Sequence, residues 1–171
     1  MPTYSNDYIK SILRGTKTIA MVGASGNEMR PSYFAMKYLL DKGFKVIPVN
    51  PGMAGKTNLG QPVYASLKDV PAPVDMVDIF RSPDVAPAIV KEALAEKDRL
   101  GVKTIWMQLG VISEEAAAMA REAGLNVVMD RCPKIEYGRL SGEISWLGVN
   151  RRTIDNRKPL LFSKGGSLKR M

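Results

Sequence analysis

Short apolar runs alternate with helix-period segments along most of this chain, and that alternation limits its fold more than any other feature. Residues 18–22, Thr-Ile-Ala-Met-Val, form an unbroken apolar run of the kind that suits a strand buried on both faces. Similar runs recur at 44–49, 74–80, 103–108 and 126–129. Between them the pattern predicts helices. A leading helix is expected over 5–14. A second runs from Pro31 to about Lys42, with Pro31 in the first position, where a missing N–H costs no helical bond, and Gly43 as the stop. A third runs from Pro83 to about Arg99, with Val85, Ile89, Ala93 and Leu94 on one side. A fourth is N-capped by Ser113, carries Glu114 and Glu115 in its first turn, and turns Ala116, Met119, Ala120 and Ala123 inward. Pro48 removes a ladder donor and belongs near a strand end or on an edge side. Residues 50–61, rich in Gly and Pro, read as a loop ordered by itself or by a ligand. Repeated strand–helix–strand units joined by right-handed crossovers predict an α/β chain. The expected architecture is a Rossmann-like, doubly wound, mainly parallel five-stranded sheet with helices on both faces.

The 171 residues suit one such domain over 1–140 and a basic C-terminal extension over 141–171, expected to be partly flexible. The net charge of +8 is uneven. Residues 1–150 hold 18 Lys and Arg against 16 Asp and Glu, whereas residues 151–171 hold seven against one. The basic character is therefore mainly a property of the tail. No histidine occurs anywhere, which excludes Ser-His and Cys-His nucleophile pairs, phosphohistidine relays and His-based zinc sites. The lone Cys132 forms no internal disulfide. The first residues carry no basic-then-apolar export pattern, and no apolar run reaches membrane-spanning length. A cytoplasmic, membrane-free protein is the expectation.

In doubly wound folds, ligands bind beyond the carboxyl ends of the strands where strand order reverses, so the segments after each strand are the candidates. After the first strand comes Gly23-Ala24-Ser25-Gly26-Asn27-Glu28-Met29-Arg30-Pro31-Ser32. Glycines permit close backbone approach, a helix N-terminus offers free N–H groups, and Ser25, Ser32 and Arg30 add donors, all of which suits a pyrophosphate. An ordinary βα turn has the same composition. After the second strand, Asn50 stands where a nicotinamide-dinucleotide domain would carry an acid, and Pro51 and Lys56 follow. A neutral amide with a nearby cation fits a ligand bearing an extra ribose phosphate, either NADP or coenzyme A; Lys56 alone reads equally as a solvated lysine. Arg81, Ser82 and Pro83 follow the third strand, and Gln108, Leu109 and Gly110 the fourth; either group frames a cleft or simply starts a helix. After the fifth strand, Cys132 reads as a small packing residue and Glu136 as a structural anchor, since no base accompanies the thiol.

Taken in order, V-G-A-S, R-P-S-Y, V-I-P-V-N-P, the Gly-rich stretch ending L-G, and R-C-P-K-I-E resemble the stand-alone CoA-binding domain family. That family is similar to the N-terminal domain of the succinyl-CoA synthetase α subunit. The resemblance spans roughly residues 5–140. It implies that the turn and helix start at Gly23, Ala24, Ser25, Gly26, Arg30 and Ser32 hold the CoA pyrophosphate. It implies that Asn50 and Pro51 cradle the adenosine while Lys56 meets the 3′-phosphate. It further implies that Arg81, Ser82 and Pro83 flank the nucleotide and that Gln108, Leu109 and Gly110 flank the pantetheine arm. The synthetase also needs a second domain carrying a phosphorylated histidine, which a chain of this length without histidine does not supply, so the ligase activity does not carry over. The expectation is a non-catalytic module that binds CoA or an acyl-CoA as a carrier, sensor or partner subunit. The alternatives are an NADP-linked oxidoreductase and, for the tail alone, a nucleic-acid contact. Tyr137, Trp146 and Leu147 are candidates for a homodimer interface.

Overall fold

The computed structural model describes residues 2–142. Five parallel strands form the sheet: β1 (Thr18–Val22), β2 (Lys45–Val49), β5 (Met76–Ile79), β6 (Thr104–Met107) and β7 (Asn126–Val128), in the order β2-β1-β5-β6-β7. The remaining strands, β3 (Thr57–Asn58) and β4 (Gln61–Pro62), form a small antiparallel hairpin. The helices are α1 (Asn6–Arg14), α2 (Pro31–Asp41), α3 (Ala86–Ala95), the short α4 (Lys97–Leu100), α5 (Glu114–Glu122) and α6 (Pro133–Leu140). The basic extension predicted beyond residue 140 lies, past Gly142, outside the described residues, as do Trp146 and Leu147.

Alternate residues of each strand enter opposite cores, as the period of two requires. Ala20, Val22, Val77, Ile79, Ile105, Met107 and Val127 pack with α3 and α5. Ile19, Met21, Met76, Trp106 and Val128 pack with α1, α2 and α6. Both faces of the sheet are thus covered, which explains the unbroken apolar character of β1. Trp106 is fully buried and donates from its indole nitrogen to the Arg131 carbonyl at 2.8 Å, so its polar handle is satisfied. Pro48 sits near the carboxyl end of β2, paired with Met21. Tyr64 then adds a single parallel bridge to Val49 on the outer side of β2.

Four details depart from the pattern-based expectation. The helix predicted from Pro83 to about Arg99 begins at Ala86 and breaks at Glu96; Pro87, not Pro83, occupies its first turn. In α5 the buried residues are Ala116, Ala117 and Ala120, with Met119 and Ala123 only half-buried, because the helix is rotated so that Ala117 also faces inward. Residues 133–140 form α6, with Pro133 at its start as Pro31 is in α2. Tyr137, a candidate for an interface, is already buried within this unit, edge-on against the rings of Tyr38 and Phe44, at 6.2 and 5.6 Å between centroids.

The adjacent strands β1 and β5 send their following helices to opposite faces of the sheet, α2 to one and α3 to the other. That divergence opens the crevice expected at a switch point. The two chains part at very close range. Gly23 has φ +90°, and a Cβ placed on it would lie 2.4 Å from the Phe80 carbonyl oxygen. Gly23→Ala is therefore expected to cost about 2–3 kcal/mol or more, while Gly55→Ala, which has positive φ but open space around it, costs about 1 kcal/mol. Urea denaturation of both variants measures the difference.

Candidate functional site

Short polar side chains shape the loop after β1. The Gly23 N–H donates to the Val49 carbonyl at 2.9 Å, which ties the loop to β2. Ser25 N–H donates to Ser32 Oγ at 2.9 Å, Asn27 N–H to Ser25 Oγ at 3.0 Å, and Met29 N–H to Asn27 Oδ1 at 2.9 Å. Helix α2 follows, with Arg30 at its N-cap making no side-chain capping bond. Its guanidinium has donors only and so cannot cap the helix N–H groups; the residue is exposed and lines the crevice. Among the described residues the amides of Ala24, Gly26 and Ser32 donate to no protein acceptor. Unspent N–H groups at a helix start, with a cation beside them, favour an anion.

The loop after β2 folds against the first one. Asn50 Nδ2 donates to the Ala24 carbonyl at 2.8 Å, and its Oδ1 accepts from Gly52 N–H at 2.9 Å, which caps a single 3₁₀ turn over Pro51–Met53. The Met53 side chain lies over Gly26, where a Cβ would meet its methyl at 2.6 Å. Asn58, buried on β3, donates to the Ser25 carbonyl at 3.0 Å. Residues 50–61 are thus ordered by their own contacts, and Lys56 is carried exposed on their outer side.

Two adjoining cavities occupy the crevice. The smaller, 340 Å³, is lined by Gly23, Ser25, Arg30, Ser32, Asn50 and Arg81, together with Pro31 and Phe80. The larger, 710 Å³, shares Pro31, Phe80 and Arg81 with it and continues past Ser82, Gln108 and Leu109 towards Cys132 and Lys134. Arg81 therefore stands where the two meet. Ser82 does not point free: it is hydrogen-bonded to the exposed Asp84 carboxylate, whose pKa is lowered mainly by that bond. Of the sequence-predicted residues, Ala24, Gly26, Pro51, Lys56, Pro83 and Gly110 line neither cavity. Ala24 is buried beneath the loop, and the Gly110 N–H donates to Asp130 Oδ1 at 2.8 Å, which fixes the loop after β6 to the end of β7.

Behind Gln108, a wall residue of the larger cavity, lies a carboxyl group that the sequence pattern does not single out. Asp78 lies within β5 and is fully buried. Gln108 Nε2 donates to both of its oxygens, at 2.9 and 3.1 Å. Burial pushes the Asp78 carboxyl up to about 7, with the Gln108 bond opposing the rise. Burial also raises the Cys132 thiol, and the Asp78 charge adds to that rise. Cys132 lines the larger cavity as a buried free cysteine, and a raised pKa lowers the thiolate fraction that a nucleophile needs. Glu136 is buried and paired with Arg139 at 2.8 Å, a structural anchor at the foot of α6.

The family described as CoA binding domain matches residues 17–138. This chain belongs to the CoA-binding domain family. YneT of Bacillus subtilis (strain 168) is 37% identical over 137 residues, covering 80% of this chain and 97% of that protein. Among solved structures, Prb, described as the PH1109 protein redesigned for binding, superposes with a TM-score of 0.76 at 37% identity, covering 83% of this chain and 96% of its own. The cell-free ID.343 protein from Thermus thermophilus gives 0.74 at 36% identity, covering 80% and 99%. The CoA-binding domain thus accounts for the described fold from β1 through α6.

The elevated Asp78 carboxyl has a direct thermodynamic consequence. Between pH 3.8, where an ordinary Asp titrates, and about pH 7 the folded domain holds a proton that the unfolded chain releases. Its stabilising contribution is full below pH 3.8 and is lost as pH rises through about 7. Asp78→Asn keeps an acceptor for Gln108 and removes the ionisation. Urea denaturation is expected to show the variant gaining on the native protein by up to a few kcal/mol between pH 5 and pH 8.

Proposed function

We propose that this protein binds coenzyme A or a CoA thioester as a non-catalytic module, acting as a carrier, a sensor or a partner subunit. One observation carries the reading. In a chain of the CoA-binding domain family, the switch-point crevice joins a small polar cavity at a helix N-terminus to a larger, mainly apolar one. CoA has the matching division into an anionic nucleotide and a long, less polar arm.

The groups present fit that ligand. The unspent amide of Ser32, at the start of α2 and on the wall of the polar cleft, would meet the pyrophosphate, with Arg30 and Arg81 balancing its charge. The Asn50–Pro51 segment would lie along the adenosine. Lys56, exposed on the same loop, would meet the 3′-phosphate of the ribose. Gln108, held through its Nε2 by Asp78, keeps its carbonyl oxygen for an N–H donor, and the amides of the pantetheine arm supply such donors. The absence of histidine from the sequence and the raised Cys132 pKa support a binding role over a catalytic one.

Titration calorimetry with CoA is the test, with NADPH as the comparison ligand. A heat of association with CoA and none with NADPH is expected; no heat with CoA or any thioester at millimolar concentration overturns the proposal. Lys56→Ala is expected to weaken CoA about tenfold while leaving dephospho-CoA nearly unchanged. Equal losses for both ligands would take Lys56 away from the 3′-phosphate.

A further inference from the structure

Large apolar side chains left in water need an explanation when they gather in one place. Among the described residues those most exposed are Met29, Phe34, Leu109, Ile112 and Ile135. They come from separate segments: the loop after β1, helix α2, the loop after β6 and helix α6. Four of them, Met29, Phe34, Leu109 and Ile135, line the larger cavity, and Ile112 follows its wall residue Val111. Met29 is 81% exposed, Leu109 57% and Ile135 50%, values suited to a surface that is covered when the site is filled.

We infer that this larger cavity is an acyl chamber, and that the preferred ligand is a CoA thioester carrying an uncharged aliphatic acyl group rather than free CoA or a dicarboxylic thioester. The inference rests on the CoA reading above and goes beyond it. Continuity is its first support: Pro31, Phe80 and Arg81 border both cavities, so an arm leaving the polar cleft enters the apolar one directly. Size is the second, since 710 Å³ is more than twice the volume of the polar cleft and falls among typical small-ligand sites.

The wall of the chamber is mainly apolar, its polar members being Arg81, Ser82, Gln108 and Lys134, so an aliphatic group meets more of it than a carboxylate does. Asp78, fully buried behind Gln108, holds that amide from the core side and offers no cation to a terminal carboxylate. The Lys134 ammonium lies over the rings of Phe34 and Tyr38, at 5.9 and 5.5 Å from their centroids. It is therefore drawn to the wall aromatics. Arg81 stands at the junction with the polar cleft, beside the site of the phosphates.

Titration calorimetry of the full chain with CoA, butyryl-CoA, hexanoyl-CoA and succinyl-CoA tests the inference. Affinity is expected to rise with chain length, hexanoyl-CoA binding about tenfold or more tighter than CoA, because each methylene removed from water adds to binding. Succinyl-CoA is expected to bind no tighter than CoA. Ile135→Asp and Met29→Ser, both on the chamber wall, are expected to weaken hexanoyl-CoA more than CoA, so that the ratio of the two affinities falls to about one. Equal affinities for CoA and hexanoyl-CoA, or a preference for succinyl-CoA, overturn the acyl chamber and leave the CoA reading intact. If neither CoA nor hexanoyl-CoA binds, the CoA reading falls and takes the chamber with it. A hexanoyl gain that survives both substitutions places the acyl group elsewhere and overturns the assignment.

Discussion

The contact between Gly23 and the Phe80 carbonyl is the constraint on which the site depends. It occurs where β1 and β5, neighbours in the sheet, end and part towards opposite faces. Only a residue without a side chain lets the two loops approach so closely, and the positive φ of Gly23 turns the first loop towards the start of α2. Every other feature of the crevice follows from that departure. The Gly23 N–H ties to β2, Ser32 closes the turn by accepting from Ser25, and Arg81, the residue after Phe80, comes to stand between the two cavities. A shift of this crossing would move the anion cleft and the mouth of the apolar chamber together.

The crevice divides its tasks between backbone and side chains. In the polar half, the side chains of Ser25, Asn27, Ser32, Asn50 and Asn58 mostly bond to backbone, and so hold the loops in place. This leaves the Ser32 main-chain amide and two arginines to face a ligand. Such an arrangement is rigid before anything binds, so little ordering entropy is lost on association. In the apolar half the reverse holds. Met29, Leu109 and Ile135 have few neighbours to fix them and retain rotamer freedom, which lets one chamber adapt to groups of different length.

Much of the fold was legible because it rests on continuous signals. The strands were read from unbroken apolarity, and α2 and α5 from Pro31 and Ser113 at their starts. Where two signals competed, the reading slipped: Pro83 and Pro87 both mark helix starts, and the chain uses the second. Helix α6 is announced by Pro133 as α2 is by Pro31, but its eight residues, Gly138 among them, show no clear apolar stripe. The polar cleft was legible for a related reason: its residues are nearly consecutive, so Gly23, Ser25, Arg30 and Ser32 could be read from one segment.

The apolar chamber was not legible, since exposure is a tertiary property. Phe34 and Ile135 look like ordinary core-facing positions on amphipathic helices, and only the relative placement of α2 and α6 turns them to the cavity. Asp78 did leave a trace, as a carboxylate inside an apolar strand run is costly wherever both faces are covered. The chain retains it with a single side-chain partner, Gln108, one residue beyond the end of β6 and at the cavity wall. A buried carboxyl is joined in this way to an amide of the chamber wall. While Asp78 is ionised, it holds the Gln108 NH₂ group and leaves the carbonyl oxygen to accept. Once protonated, the carboxyl is a donor as well as an acceptor, and its carbonyl oxygen still accepts from the Gln108 amide. Gln108 thus joins Arg81, Ser82 and Lys134 as a polar residue of the chamber wall, and it is held from behind by a core carboxyl that burial pushes up to about 7.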